Sequence, residues 1–78
     1  MLTFHRITFD KNIMGGRACI RGMRVTASHI LNLLANGQNA DDILAEYPDL
    51  EGEDIQEVLY YMAWLAKDEI HTLEEYAA

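Results

Sequence analysis

Apolar positions change their spacing once along this chain, near residue 27. Before that point they alternate with polar ones over short stretches; beyond it they recur every three or four residues. In His5-Arg6-Ile7-Thr8-Phe9 the alternation predicts a short strand with Ile7 and Phe9 on one side. Asp10-Lys11-Asn12 reads as a turn. Gly15-Gly16 is a second break, since glycine accepts positive φ and close backbone approach. Residues 17–20 and 23–26 predict two further short strands, with Gly22 between them as a turn or bulge.

The remainder predicts three helices. Ser28 or Thr26 can cap the first, which carries Ile30, Leu31, Leu33 and Leu34 and has Gly37 just past its end. Asn39 caps the second; Asp41 and Asp42 fall in its first turn, where the helix dipole favours acids, and Pro48 stops it. The third runs from about residue 53 to 67, extending toward 73, with Ile55, Val58, Leu59, Met62 and Ala66 as its inner stripe. The expected fold is mainly α: a three-helix domain with helix-turn-helix proportions at 28–47, preceded by short N-terminal β-strands. One domain spans 1–78, with a basic β-rich element at 1–27, a helical part at 28–73 and a tail at 74–78.

The stretch Val58-Leu-Tyr-Tyr-Met-Ala-Trp-Leu-Ala66 holds no charge over more than two helical turns, so it is apolar around its whole circumference. A helix of that kind is normally covered on every side. A chain of 78 residues has little mass for the purpose. Tyr60, Tyr61, Trp64 and Leu65 are therefore candidate contacts for a second polypeptide, either another copy or a different protein, because tyrosine and tryptophan are favoured interface anchors. The competing reading leaves the tyrosine hydroxyls in water and covers Trp64 with the N-terminal β element.

Charge sharpens this picture. The net charge is -7, but residues 1–29 carry five bases against Asp10 alone, and residues 30–78 carry Lys67 against twelve acids. Such a split fits two surfaces with different partners, or two solvated faces. Lys11, Arg17, Arg21 and Arg24 are the candidate DNA contacts, and Glu57 and Asp68 are acids placed to guide a basic protein partner. A single cysteine, Cys19, allows no internal disulfide. No apolar run approaches the roughly 20 residues of a membrane helix, and the absence of a leader pattern points to a cytoplasmic protein. His5, His29 and His71 lack metal-ligand spacing, Gly15-Gly16 lacks the ending of a phosphate loop, and no nucleophile has a base and an orienting group beside it. The expectation is a protein without catalytic residues, cofactor or metal.

The run Gly15-Gly16-Arg17-Ala18-Cys19-Ile20-Arg21-Gly22-Met23-Arg24-Val25 resembles the Gly-Gly-x-Pro-x-Ile-x-Gly-Thr-Arg-Ile signature of the domain-of-unknown-function family numbered 433. The likeness continues through Ile30-Leu31-x-Leu33-Leu34-Ala35-x-Gly37, Ile43-Leu44-x-x-Tyr47-Pro48-x-Leu50 and Asp54-Ile55-x-x-Val58-Leu59-x-Tyr61. Ala18, Met23, Asn39 and Glu51 stand where the usual pattern has Pro, Thr, Ser and Thr. The resemblance implies a homeodomain-like helical fold behind short strands. It also implies kinship with VapB-type antitoxins, which are often encoded beside PIN-like ribonuclease toxins. Gly15, Gly16, Gly22 and Arg24 match the family's shared positions. The glycines suit turn geometry, and Arg24 either braces the fold or contacts phosphate.

Two functions compete. One is an antitoxin of a type II toxin–antitoxin system that covers a PIN-like toxin and also binds its own promoter. The other is a stand-alone dimeric helix-turn-helix regulator. The second has an electrostatic cost, because Asp41, Asp42, Glu46, Glu53, Asp54 and Glu57 would approach a phosphate backbone. A structural dimer without nucleic-acid contact is a third possibility.

Overall fold

A computed structural model describes the backbone of residues 4–77 and the side chains of residues 4–67. The order is β1 (Ile7–Thr8), a left-handed turn at Met14–Gly16, β2 (Cys19–Ile20), then α1 (Ala27–Ala35), α2 (Ala40–Glu46) and α3 (Gly52–Ala77). Three helices thus follow short N-terminal strands, as the hydrophobic spacing predicts, and the strands form a two-stranded antiparallel sheet. α3 continues through residues 74–77, where a tail was expected.

β1 pairs with β2 in the register Ile7↔Ile20 and Thr8↔Cys19. The third expected strand reduces to one bridge, Cys19↔Thr26, on the other side of β2. Cys19 therefore lies between two neighbouring segments and is 2% exposed. The connection from Ile20 back to Val25 is tight: Met23 N–H donates to Ile20 O at 2.8 Å, and Ile20 N–H to Val25 O at 2.9 Å. Arg21 (φ 45°) and Gly22 (φ 72°) are both left-handed, as the two central positions of a type I′ turn require. Glycine meets that demand freely, whereas Arg21 meets it under strain.

The strand at 5–9 is shorter than its alternation predicts. It ends at Thr8, and Asp10 opens a turn closed by Ile13 N–H to Asp10 O at 2.9 Å. Phe9 consequently leaves the side that Ile7 occupies and stands 63% exposed.

Local capping explains the helix starts. Thr26 accepts from His29 N–H at 3.1 Å and caps α1; Ser28 does not take that role. Asn39 and Asp42 form a reciprocal capping box on α2 at 2.9 and 3.1 Å. Gly37 turns the chain between them at φ 95°. At α3 the N-cap position falls to Glu51, and Asp54 supplies the returning bond by accepting Glu51 N–H at 2.8 Å. The core is Ile7, Ile20, Ala27, Ile30, Ile43, Leu50, Ile55, Val58 and Tyr61, so both strands and all three helices contribute to one cluster. The inner face of α3 is therefore Asp54, Ile55, Val58 and Tyr61, with Met62 partly covered. Leu59, expected inside, is 41% exposed, and Tyr61, expected outside, is buried. The helix is rolled toward the side on which Asp54 is held, and this exchanges the two residues.

Candidate functional site

Asp54 is 1% exposed and is the most buried ionised side chain among the described residues. Arg21 grips it from the turn after β2, with Nε to Oδ1 at 3.0 Å and Nη2 to Oδ2 at 2.9 Å, and donates a further bond to Asp49 O at 2.7 Å. Arg6 reaches the same carboxylate at 2.9 Å and Glu51 at 2.6 Å. Burial pushes the Asp54 carboxyl up, but the bonds from Arg21, Arg6 and Glu51 N–H outweigh it, and the group lies below its ordinary 3.8. The same bonds raise both guanidinium groups, Arg6 through Glu51 and then Asp54, and Arg21 through Asp54. The strained φ of Arg21 is thus matched by a two-pronged grip on a buried anion.

One turn further along α3, Glu57 accepts the backbone N–H groups of His5 (3.2 Å), Arg6 and Ile7 (2.9 Å). It clips the N-terminal segment to the helix. Glu57 was expected to guide a partner from the surface; its carboxylate is instead committed inside the fold. Side-chain placement of Asp68, the other acid of that set, lies outside the described residues.

The expected DNA contacts divide likewise. Arg21 is spent on Asp54, while Lys11, Arg17 and Arg24 are exposed and form no ion pair among the described residues. Two of them flank the left-handed turn. A Cβ placed on Gly16 would stand 3.6 Å from Lys11 Cα, and Arg17 follows Gly16 directly. Met14 (φ 52°), Gly15 (φ 69°) and Gly16 (φ 85°) are left-handed in succession, a path that only glycine follows readily.

The expected protein contacts gather on α3. Tyr60 and Trp64 are 61% and 49% exposed, and Leu59 and Leu65 are also open to solvent. Tyr61 turns inward yet holds this surface from below. Its ring meets Phe4 edge-on at 5.3 Å, Phe9 at 6.1 Å and Trp64 at 6.3 Å, and Phe4 also meets Trp64 at 5.9 Å. Phe4 and Phe9 were absent from the expected set. Nothing local marks them, because long-range bonds bring the N-terminal segment beside α3: Glu57 to the amides of residues 5–7, and Arg6 to Asp54 and Glu51. The result is an aromatic surface supplied by two segments more than 50 residues apart.

Among the described residues no helix is long and apolar enough to cross a membrane, and no three His, Cys, Asp or Glu side chains are grouped to hold a metal ion. Residues 7–62 match the family described as "Protein of unknown function (DUF433)". The chain belongs to the DUF433 family. The matched span runs from β1 to Met62, the last of the described α3 side chains packed on the core. A crystal structure of a DUF433 member protein from Anabaena variabilis superposes with a TM-score of 0.71 at 26% sequence identity. The alignment covers 88% of this chain and 66% of that one. No curated protein matches the chain. Among the DUF433 features, the signature glycines fall in the left-handed turns, and its Asp54 is the buried anion of the arginine cluster.

Proposed function

We propose that this DUF433 chain is a non-enzymatic, antitoxin-like protein-binding module. Its α3 surface covers a partner of the PIN-like ribonuclease type. The observation that carries the reading is the exposed apolar set Tyr60, Trp64 and Leu65, buttressed by Phe4, Phe9 and Tyr61. Contiguous exposed aromatics on a small domain mark association surfaces. The acids of residues 30–78 complement the basic surface that a ribonuclease presents to RNA. The resemblance to VapB-type antitoxins supplies the class of partner. Lys11, Arg17 and Arg24, exposed and without an ion pair among the described residues, support contact with promoter DNA.

The test is co-purification with a PIN-like ribonuclease, for which a gene beside this chain's own is the expected source. Tyr60→Asp and Trp64→Asp are each expected to weaken capture by about 2 kcal/mol, roughly thirtyfold, as for a central anchor. Tyr60 makes no ring contact with the aromatic cluster, so its variant separates lost contact from lost folding. Capture at parental strength by folded Tyr60→Asp overturns the assignment. Light scattering of the isolated chain near twice 8.9 kDa, falling to the single mass in Tyr60→Asp, places a second copy on the same face.

A further inference from the structure

The left-handed turn, the start of α1 and the end of α2 enclose a groove that the aromatic surface does not touch. Met14, Arg24, Val25, Thr26, His29 and Tyr47 line about 320 Å³. A second groove of about 400 Å³ lies beyond Tyr47 and shares Arg24, Val25 and Tyr47 with the first. Both are within the usual size range for small-molecule sites.

The first groove has a distinct polarity. It contains no acid; Glu46 and Asp49 line only the second. Arg24 borders both, yet stands farther than ion-pair distance from either acid, as it does from every described carboxylate. Its charge is available. His29 Nε2 and Tyr47 Oη are 2.8 Å apart, and the rings meet edge to face at 5.9 Å. One hydrogen is shared between them, and either neutral tautomer leaves a donor over. When Nε2–H donates to Oη, the Tyr47 O–H points outward; when Oη donates to Nε2, Nδ1–H is free. Thr26 caps α1 at this rim, so the positive end of a nine-residue helix adds to the field. Met14, Val25 and the Tyr47 ring supply apolar wall beside these donors.

We propose that this groove binds a phosphate group, borne either by a free nucleotide or by a nucleic-acid strand. Arg24 takes the anionic oxygens, the His29–Tyr47 pair donates one further bond, and the Met14, Val25 and Tyr47 wall receives the attached sugar or base. An acidic ligand suits a groove whose lining holds Arg24 and no carboxylate. The site shares no residue with the α3 surface, so it stands or falls separately from the protein-binding reading.

The experiment is an amide chemical-shift titration of the full chain at low ionic strength, with inorganic phosphate, AMP and a short DNA duplex as separate probes. Saturable shifts are expected at Arg24, Ser28, His29 and Tyr47. Arg24→Gln should weaken binding by about tenfold or more, as loss of a charge-assisted bond does. Tyr47→Phe, which keeps the wall and removes the hydroxyl, should weaken it less. Saturation by inorganic phosphate or AMP assigns the site to free anions; saturation by the duplex alone, steeply reduced by salt, assigns it to a strand. No saturable shift with any probe overturns the proposal. So does Arg24→Gln that titrates like the parent while its other amide resonances stay in place.

Discussion

Asp54→Ala is expected to remove about 3–5 kcal/mol of folding free energy, the range seen when one partner of a buried ion pair is deleted. A domain of 78 residues commands roughly 4–12 kcal/mol in all, so much of the population should unfold. The loss arises because Arg21 and Arg6 then face each other without the anion between them, and Glu51 N–H loses its acceptor. Arg21 would also keep its left-handed φ with only its bond to Asp49 O to offset it. Asp54→Asn keeps the shape and one acceptor, and should lose less. Urea unfolding followed by circular dichroism measures both; a change under about 1 kcal/mol for the alanine variant sinks the account. The pH dependence has a definite sign. The folded carboxyl titrates below its unfolded value of 3.8. Its contribution is therefore complete above that value and is lost as pH falls through the lower, folded value. Parental protein should lose stability in that acid window, and Asp54→Asn should lose less there.

Glu57→Ala is expected to cost about 3 kcal/mol, close to 1.5 kcal/mol for each of the two half-buried N–H groups it leaves without a charged acceptor. Arg6 and Ile7 carry those groups, and His5 a third, exposed one. The consequence reaches beyond stability. Once the clip is gone, Phe4, which precedes the released amides, should loosen from Tyr61, while Phe9 stays behind the β1–β2 pairing and the Arg6–Asp54 bond. Hydrogen exchange should show Arg6 and Ile7 amides opening well before those of α3. Protection of those two amides at parental levels in Glu57→Ala contradicts the clip. Glu57→Gln keeps an acceptor without its charge, and should fall between the two.

How far the primary sequence disclosed this arrangement depends on the range of the interaction. Asn39, Gly37, Pro48 and the three-and-four spacing of Ile55 and Val58 act within a turn or two, and the helices stand where these residues place them. The direction in which α3 faces was hidden. Over Val58–Ala66 all sides are apolar, so periodicity cannot separate Leu59 from Tyr61. The deciding signals were Asp54 and Glu57, acids that resemble ordinary first-turn and surface residues. Their partners Arg21 and Arg6 lie 33 and 48 residues from Asp54, and the amides held by Glu57 lie 50 to 52 residues away. Pairings at that separation have no periodic trace. For the same reason the basic N-terminal third resembled one cationic surface, although folding withdraws Arg6 and Arg21 from it. His29 and Tyr47 are separated by 18 residues and meet only because α1 and α2 pack. Neither stood out as a ligand contact, since each is an unremarkable polar residue within its own helix or turn.

The position of Cys19 gives the molecule a built-in clock. The chain's one thiol sits in β2 between β1 and Thr26, shut off from solvent by strands that are themselves fastened through Arg21 and Glu57. A thiol-modifying reagent can reach it only in the fraction of time that this hairpin stands open. The speed of modification therefore counts openings at the far end of both carboxylate anchors, without any label having to be engineered into the protein.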